Sequence, residues 1–349
     1  MNATPSSDEQ IEHLLRDFRL YDRNVDIVSA WEMIFTTSTT DVPACVRHFE
    51  RFPSVVATDG NPTAPDFSVV FTDDVGLVGE IASFARRDES VDDLCRQIER
   101  YDGLRQLPVG GGALAGVRHV DVMLLVPLNL GTDAIRRVIR ERFEDGAHSY
   151  SPSAPPVIIQ FALDRDPDRY TFQKRPDTGN GYFRDEGRDD SARLSDWFDR
   201  SDVNVKPERF REIKAARAFI NDPVPPLYLS TFLWAKTFAD LAAASGEGRP
   251  VPLAVAPGTL AGQLRDEYGV VRTQDVEKAL ALLERAKLAE RTPAGWIAYW
   301  TELPRGAGER DLAETLARRS VRPPRRSTAE VFRDVARESG ESFEQERLF

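Results

Sequence analysis

The sequence predicts an α/β domain followed by a smaller α+β module that begins near residue 205. In the first 200 residues, short runs rich in valine and phenylalanine alternate with amphipathic helical patterns, as they do in α/β proteins. Three prolines between residues 223 and 226 then interrupt the chain, and the residues after them have the pattern of helices followed by a hairpin. We therefore divide the chain into residues 1–204, residues 205–304, and an Arg/Pro-rich linker with a polar helix over residues 305–349.

Composition and charge limit the class of protein. The 349 residues are 41% hydrophobic and 30% charged, and no apolar run reaches the length of a membrane span. The N-terminus lacks the basic-then-apolar layout of a secretion signal, and two cysteines are too few for a disulfide framework. We therefore expect a cytoplasmic protein without a membrane partner. The net charge is −11, with the acid excess in the first 226 residues, so the totals show no basic face for duplex binding.

The first domain is predicted to begin with helices. Apolar residues recur at helical spacing within residues 8–50, and Val42–Phe52 is predicted as a second helix of this stretch. The pattern then changes to two short strands, Phe67–Phe71 and Leu77–Phe84, separated by a turn that contains two aspartates and a glycine. This change of period marks the start of the sheet.

An amphipathic helix over Ser90–Gly103 follows, with Ser90 as its N-cap and Asp93 three residues later. Its apolar stripe consists of Val91, Leu94, Cys95 and Ile98. The remaining predicted elements of the domain are a buried strand at Val120–Pro127, a helix around Thr132–Phe143, a strand at Val157–Leu163, and loops with edge strands over Asp164–Ser201.

The second module is predicted as a run of helices that ends in a hairpin. Thr273 is the expected N-cap of its longest helix, and a Gly/Pro linker is expected at Gly246–Pro252. The predicted helices are Lys206–Asn221, Leu227–Ala244, Thr259–Glu267 and Thr273–Ala286, and the predicted strands are Leu288–Arg291 and Trp296–Trp300.

Two acidic residues flank the first predicted hairpin. If its turn centres on Asp74, Asp66 lies opposite position 82, and Ser68 lies opposite Glu80. Asp66 and Glu80 are then diagonal neighbours on one face of the sheet, provided that the register does not slip by one residue. Two convergent carboxylates form a hard-oxygen site suited to Mg²⁺, which activates water and offsets charge on a phosphodiester.

This arrangement resembles the PD-(D/E)xK nuclease superfamily over residues 42–165. Pro65-Asp66 and Glu80-x-82 match its metal motif, and Gln97 with Tyr101 on the next helix looks like the Q-xxx-Y element of the RecB-like branch. The resemblance implies a restriction-endonuclease-like core, a mixed sheet flanked by helices. It also implies that Asp66 and Glu80 bind Mg²⁺ or Mn²⁺ with the Ile81 backbone carbonyl, and that Gln97 and Tyr101 support the site or touch the nucleic-acid backbone. A helical acid upstream sometimes completes the metal shell in this family, and Glu50 is its best match here.

Position 82 departs from the family pattern. The motif lysine, which helps to deprotonate the attacking water, is Ala82 in this chain. Alanine can neither donate a hydrogen bond nor stabilise a hydroxide. Two explanations compete, a naturally degenerate site and an engineered Lys→Ala substitution, and the intact surroundings of the motif favour engineering. The chain as written is expected to be inactive or nearly so.

The second module resembles a winged helix-turn-helix domain over residues 225–302. Arg272, Gln274 and Lys278 are candidate nucleic-acid contacts at the exposed start of its longest helix, although Asp275 and Glu277 there repel phosphates. Acidic and basic residues are equal in number in this module, so it has no excess positive charge to attract DNA. Docking of a protein partner or of a second copy is therefore an alternative to DNA recognition. Its three aromatic residues near the end could stack on bases, but burial against the helix at Leu227–Ala244 is the favoured interpretation.

Three further patterns carry less information. The arginines around Pro323-Pro324 fit either a phosphate-binding arm or a solvated linker. The histidines show no zinc spacing, and His48 near Glu50 is expected to be structural rather than a ligand. Gly110–Gly112 lacks a nucleotide-binding pattern and is predicted to be a loop.

These features predict a Mg²⁺-dependent DNA endonuclease with a winged-helix module, and family analogy suggests bacterial defence or restriction as its setting. The alternatives are a non-catalytic nucleic-acid-binding regulator on a degenerate nuclease fold, and an interaction scaffold that docks a partner. The sequence does not distinguish DNA from RNA.

Overall fold

The first helix, α1 (Ser7–Thr36), begins at a reciprocal cap. The Ser6 amide donates to the Glu9 carboxylate at 2.6 Å, and the Glu9 amide donates to the Ser6 hydroxyl at 3.3 Å.

The computed structural model describes residues 5–37, 42–57, 59–82, 88–128, 156–165, 168–174, 202–245, 251–303 and 308–338. Packing divides the chain into Asp26–Ala215, here called the sheet unit, and Met1–Val25 with Ala216–Phe349, here called the split unit. Helix α1 contributes residues to both.

The sheet unit is built on one mixed sheet. Seven strands of the described residues follow the order β1-β4-β5-β8-β9-β10-β11, in which β5, β8 and β9 are parallel and the other neighbours are antiparallel. These strands are β1 (Val46–Arg51), β4 (Phe67–Phe71), β5 (Gly76–Ile81), β8 (Val120–Pro127), β9 (Val157–Arg165), β10 (Asp168–Lys174) and β11 (Val203–Val205). The smaller elements are the pair β2 (Val55–Val56) and β3 (Pro62–Thr63), the helix α2 (Asp88–Asp102), the hairpin of β6 (Gln106–Pro108) and β7 (Leu114–Gly116), and the helix α3 (Arg211–Ala216).

Each face of this sheet buries its own apolar cluster. One cluster joins α1 residues such as Trp31 and Phe35 to Phe67 and Leu77. The other joins Val78 and its neighbours to the stripe of α2, as the amphipathic pattern of that helix predicts. An α/β fold with a mixed sheet flanked by helices is therefore confirmed at this level.

Several predicted elements of the sheet unit are wrong or shifted. Val42–Phe52 is not a helix, because a 3₁₀ turn at Val42–Cys45 leads into β1, which pairs with β4 and buries Phe49. Ser90 is not the N-cap of α2, which begins at Asp88. Within Asp164–Ser201, β10 lies between β9 and β11 rather than at an edge. The predicted helix at Thr132–Phe143 and residues 175–201 lie outside the described residues.

The register of the first hairpin also differs from the prediction. Phe67 pairs with Gly79 and Ser68 with Val78, a shift of two residues. The turn centres one residue earlier because Asp74 adopts a φ of 60° and Val75 accepts a backbone hydrogen bond from Phe71 at 2.9 Å. Since the shift is even, every side chain stays on its predicted face.

The split unit combines helices with a three-stranded sheet of order β12-β14-β13. After the start of α1, its elements are α4 (Pro226–Phe232), a π-helical turn (Leu233–Thr237), α5 (Phe238–Ser245), β12 (Val251–Val255), α6 (Pro257–Tyr268), α7 (Thr273–Arg285), β13 (Ala289–Thr292), β14 (Gly295–Trp300), α8 (Glu309–Val321) and α9 (Thr328–Glu338). The helices at residues 227–244, 259–267 and 273–286 and the final hairpin are confirmed to within a few residues.

Four predictions in this part of the chain need correction. The helix over Lys206–Asn221 ends at Ala216, after which Phe219 and Ile220 are buried in irregular backbone. Val251 and Pro252, predicted as the end of a linker that begins at Gly246, belong to β12. This strand lies at the edge of its sheet, where a proline is tolerated. Thr273 is the first residue of α7 rather than its cap. The segment after residue 304 contains two helices, and α8 buries Ala313 and Leu316 instead of being wholly polar. Among the described residues, no helix is long and apolar enough to cross a membrane.

Candidate functional site

Glu80 is held by the helix that follows its strand. Its Oε1 accepts a hydrogen bond from Gln97 Nε2 at 2.9 Å, and its Oε2 accepts one from the Tyr101 hydroxyl at 3.0 Å. Gln97 Nε2 also donates to the Tyr101 oxygen at 2.7 Å, which closes a ring of three side chains. Gln97 and Tyr101 are four residues apart on α2 and therefore share the face that packs on the sheet. The structure thus brings together three residues that the sequence singled out.

Tyr101 is the buried member of this ring, with no solvent exposure. Burial and the neighbouring Glu80 carboxylate raise its pKa, against smaller lowering effects of the Gln97 amide and the Thr63 hydroxyl. Because the phenol therefore stays protonated, it remains a hydrogen-bond donor to Glu80 across the physiological pH range. Thr63 was not predicted, and a single threonine in a short polar stretch offers no signal that would identify it.

Asp66 lies just before β4, and its side chain extends the hydrogen bonding between β4 and β5. Its Oδ2 accepts a hydrogen bond from the backbone amide of Ile81 at 2.6 Å, and its carbonyl accepts one from the Phe52 amide at 3.1 Å. The carboxylate therefore satisfies an amide of β5 beyond the last residue pair of the hairpin. This positioning contact was not predicted from the sequence.

Asp66 and Glu80 share one face of the sheet. Val70 of β4 and Val78 of β5 lie in the cluster on the α2 side, and side chains alternate along each strand. Ser68 and Glu80 therefore point to this side. Extending the observed register by one residue sets Asp66 directly opposite Glu80. By this extension, Asp66 and Glu80 are cross-strand neighbours.

Ala82 follows β5 on the same face and is 2% exposed. Its methyl group belongs to the apolar cluster that contains Leu94 and Cys95, and its amide donates to the Leu125 carbonyl at 2.9 Å. Residues 1–173 contain no lysine, so no nearby part of the sequence supplies the ammonium group that the resemblance implies. Arginine is the cation available on this stretch of the chain.

Glu50 lies on the edge strand β1 and not on a helix, contrary to the expectation for an upstream helical acid. It pairs with Ser68 across the strands, and its Oε2 contacts His48 Nε2 at 2.8 Å. His48 thus has a structural partner, as predicted. Among the described residues, no three Asp, Glu, His or Cys side chains group closely enough to hold a metal ion. Glu50 therefore does not complete a three-acid cluster in this conformation.

The donor chemistry of Asp66 and Glu80 nevertheless fits a hard divalent cation. Mg²⁺ is commonly bound by one or two carboxylates and keeps several waters. Two cross-strand carboxylates, together with the Ile81 backbone carbonyl that lies between Glu80 and Ala82 in the chain, offer oxygen ligands of this kind. Gln97 and Tyr101 are hydrogen-bond donors to Glu80, so they keep its carboxylate oriented.

The candidate nucleic-acid contacts lie on the exposed side of α7 in the split unit. Arg272, Gln274 and Lys278 are all exposed. Asp275, which was expected to repel phosphates there, is 5% exposed, and its carboxylate accepts the Arg272 amide at 3.2 Å. Glu277 remains the exposed acid among these residues.

The aromatic residues of β14 are structural. Tyr299 is fully buried, and the indole nitrogen of Trp300 donates to the Trp234 carbonyl at 3.0 Å, while Trp234 donates to Thr301 at 3.1 Å. Burial against the helix at Leu227–Ala244, the favoured interpretation, is thereby confirmed for Trp300, whereas Tyr299 packs against Phe332 of α9.

The arginine cluster around Pro323-Pro324 lies in α8 and in the short connection to α9. Arg318 pairs with Glu314, Arg322 with Asp8 at 2.8 Å, and Arg326 with Asp334. The segment is thus a turn between helices and not an extended arm. Gly110–Gly112 form a hairpin loop in which all three φ angles are positive, consistent with the predicted loop.

Comparison with known proteins gives no relative. No protein-family model, no curated protein and no solved structure matches this chain.

Proposed function

We propose that the sheet unit is the core of a Mg²⁺-dependent DNA endonuclease of the PD-(D/E)xK type, and that this chain is impaired in cleavage by Ala82. The ring formed by Glu80, Gln97 and Tyr101, on the face that also carries Asp66, is the observation that supports it most directly. Solvated surface acids do not require two buried or half-buried donors from a following helix. The proposal therefore accounts for contacts that a structural hairpin leaves unexplained.

Each residue has a defined part in this proposal. A bound divalent cation supplies the activation of water and the neutralisation of charge on the phosphodiester. Asp66 and Glu80 provide the negative charge that attracts the cation. Gln97 and Tyr101 fix the orientation of Glu80, because they engage both of its oxygens. Ala82 provides no cation, so the reacting centre lacks one preorganised positive charge, which is typically worth about 10²–10³-fold in rate.

We propose that the split unit has a winged helix-turn-helix fold. Its order of helix, strand, two helices and two strands, with β14 between β12 and β13, supports this assignment. With Asp275 buried, α7 and its N-cap offer Arg272, Gln274 and Lys278 to a DNA groove, and Glu277 is the exposed acid beside them. Docking of a protein partner or of a second copy is the alternative use of this surface. A setting in bacterial defence stays a prediction by analogy.

A second function is favoured by the environment of Ala82. The methyl group is buried among apolar side chains, which suits a naturally degenerate site better than a cavity left by a lost lysine. In that case the protein is a non-catalytic regulator that binds nucleic acid. The two functions differ in how the chain responds to a lysine at position 82.

The experiment compares the chain with Ala82→Lys and Ala82→Met in a DNA cleavage assay with Mg²⁺ or Mn²⁺. We expect Ala82→Lys to raise the cleavage rate by at least about tenfold, because the ammonium group restores one preorganised charge. Ala82→Met has a side chain of similar length without charge, so it is expected to give no gain. Glu80→Gln in the lysine-bearing protein is expected to abolish the gain.

Equal cleavage by the alanine and lysine forms would contradict the endonuclease proposal. Thermal unfolding of both variants tests whether an inactive lysine form has simply lost its packing. If Ala82→Lys and Ala82→Met unfold at similar temperatures, loss of packing does not explain an inactive lysine form. DNA binding without cleavage in all forms would favour the regulator.

A further inference from the structure

Ser68 carries a buried hydroxyl that forms no hydrogen bond with any residue in the described part of the chain. The residue is 1% exposed and is the second residue of β4, whose other members are all apolar. An unsatisfied hydroxyl in such a place costs folding free energy, so an apolar residue of similar size gives a more stable protein. Packing alone therefore does not account for a serine at this position.

The surroundings of Ser68 indicate what its hydroxyl can meet. Ser68 lies on the α2 side of the sheet, directly opposite Glu50 of β1 and two residues after Asp66 on its own strand. Because Ser68 pairs with Val78, Glu80 is its diagonal neighbour on β5. Opposite residues of antiparallel strands have Cβ atoms about 4.5–5.5 Å apart, and diagonal ones about 7–8 Å. Ser68 therefore has three acidic neighbours on this face of the sheet, namely Glu50, Asp66 and Glu80.

Glu50 is the acceptor that this geometry favours. It is the residue directly opposite Ser68, and its Oε2 is held by His48 at 2.8 Å. Its side chain is 34% exposed, so it has room to rotate. A divalent cation at Asp66 and Glu80 attracts the Glu50 carboxylate across β4, toward Ser68 and away from His48.

We propose that Ser68 is a positioning residue of the cation site, whose hydroxyl donates to Glu50 when the carboxylates on this face hold a divalent cation. The inference rests on the proposed function and adds to it a donor that the motif residues do not include. It explains why a serine that is unfavourable in the metal-free chain occupies a buried position.

The test measures Mn²⁺ affinity by calorimetry and thermal unfolding without metal, using the full chain. We expect Ser68→Ala to raise the metal-free midpoint by about 2–4 °C, since it removes an unsatisfied group. It is also expected to weaken Mn²⁺ binding by about tenfold, because the carboxylate loses a donor. Val78→Ala, on the same face but without a donor, is the control, and we expect it to lower the midpoint and leave the affinity unchanged.

A double-mutant cycle tests the acceptor. If Ser68 acts through Glu50, Glu50→Gln also weakens Mn²⁺ binding, and adding Ser68→Ala to it produces little further loss. Unchanged affinity in Ser68→Ala, a lower metal-free midpoint, or a full additional loss in the double variant each overturns the inference. Asp66→Asn and Glu80→Gln separate this result from failure of the proposed function. If neither weakens Mn²⁺ binding, the cation site itself is wrong and the inference falls with it.

Discussion

A Cβ atom placed on Gly79 lies only 2.1 Å from the ring of Phe67, which pairs with it across β4 and β5. Phe67 cannot move easily, since it contacts Trp31, Phe35 and Phe49 in one aromatic group. Gly79 is therefore required by close approach and not by its backbone conformation. The family motif, which concerns Glu80 and position 82, gives no indication of this constraint.

We expect Gly79→Ala to lower the free energy of unfolding by about 1–3 kcal/mol or more, because the added methyl overpacks a tight core. Gly116→Ala is the matched control, since its Cβ meets no atom within 4 Å. Urea denaturation of both variants is the measurement. Equal stability of the two would show that the aromatic group accommodates the methyl without cost.

At the scale of the residue, the sequence predicted which side chains share a face of the sheet better than it predicted their contacts. The shared face of Asp66 and Glu80 was predictable, because side-chain alternation survives the even register shift in the hairpin. The place of Thr63 near Tyr101 and the burial of Ser68 were not predictable, since each is a single hydroxyl residue with no spacing pattern. The contact of Asp66 with the Ile81 amide depends on where the strand ladder ends, which periodicity does not determine.

At the scale of the element, strands with continuous apolar runs and amphipathic helices were predicted, whereas the edge strands β1 and β12 were not. The continuous apolar run of β8 and the stripe of α2 carry strong periodic signals. Both β1 and β12 are edge strands, and each depends on a partner strand that local sequence does not reveal. Pro252 in β12 and the polar residues of β1 favour other structures locally.

The prediction at this scale concerns DNA binding by helix α7. Replacing both Arg272 and Lys278 by alanine is expected to weaken duplex DNA binding and to reduce the slope of log affinity against log salt by about 1–2, because two phosphate contacts are lost. Binding measured between low and physiological salt is the test, with exposed Arg265 on α6 replaced by alanine as the control. Loss of affinity without a change of slope, or no loss, would favour a protein partner for this surface.

At the scale of the molecule, the division of the chain has a consequence for fragments. Phe18 and Tyr21 of α1 contact Tyr228, and the Tyr21 hydroxyl accepts the Ile220 amide at 2.9 Å. The first residues thus supply part of the interior of the split unit. The sequence suggested a contiguous module from residue 205 and gave no sign of this contribution, because the first helix reads as one continuous amphipathic element.

We therefore expect a fragment of residues 216–349 to be only marginally stable alone. Adding residues 1–25, either as a peptide or joined by a Gly/Ser linker, is expected to restore cooperative thermal unfolding, since it returns the buried tyrosine and its hydrogen bond. The same peptide with Tyr21→Ala serves as the control. A fragment that unfolds cooperatively without the peptide would contradict the prediction.

The placement of one unit's sequence between two parts of the other also sets an order of events during translation. The ribosome delivers Asp26–Ala215 complete before most of the split unit has been made. Domains generally fold as units while synthesis proceeds at about 5–20 residues per second. The nascent chain therefore carries Phe18 and Tyr21 without their partner for about 10–40 s until Tyr228 emerges. In that period a chaperone that shields apolar segments has its clearest opportunity to bind.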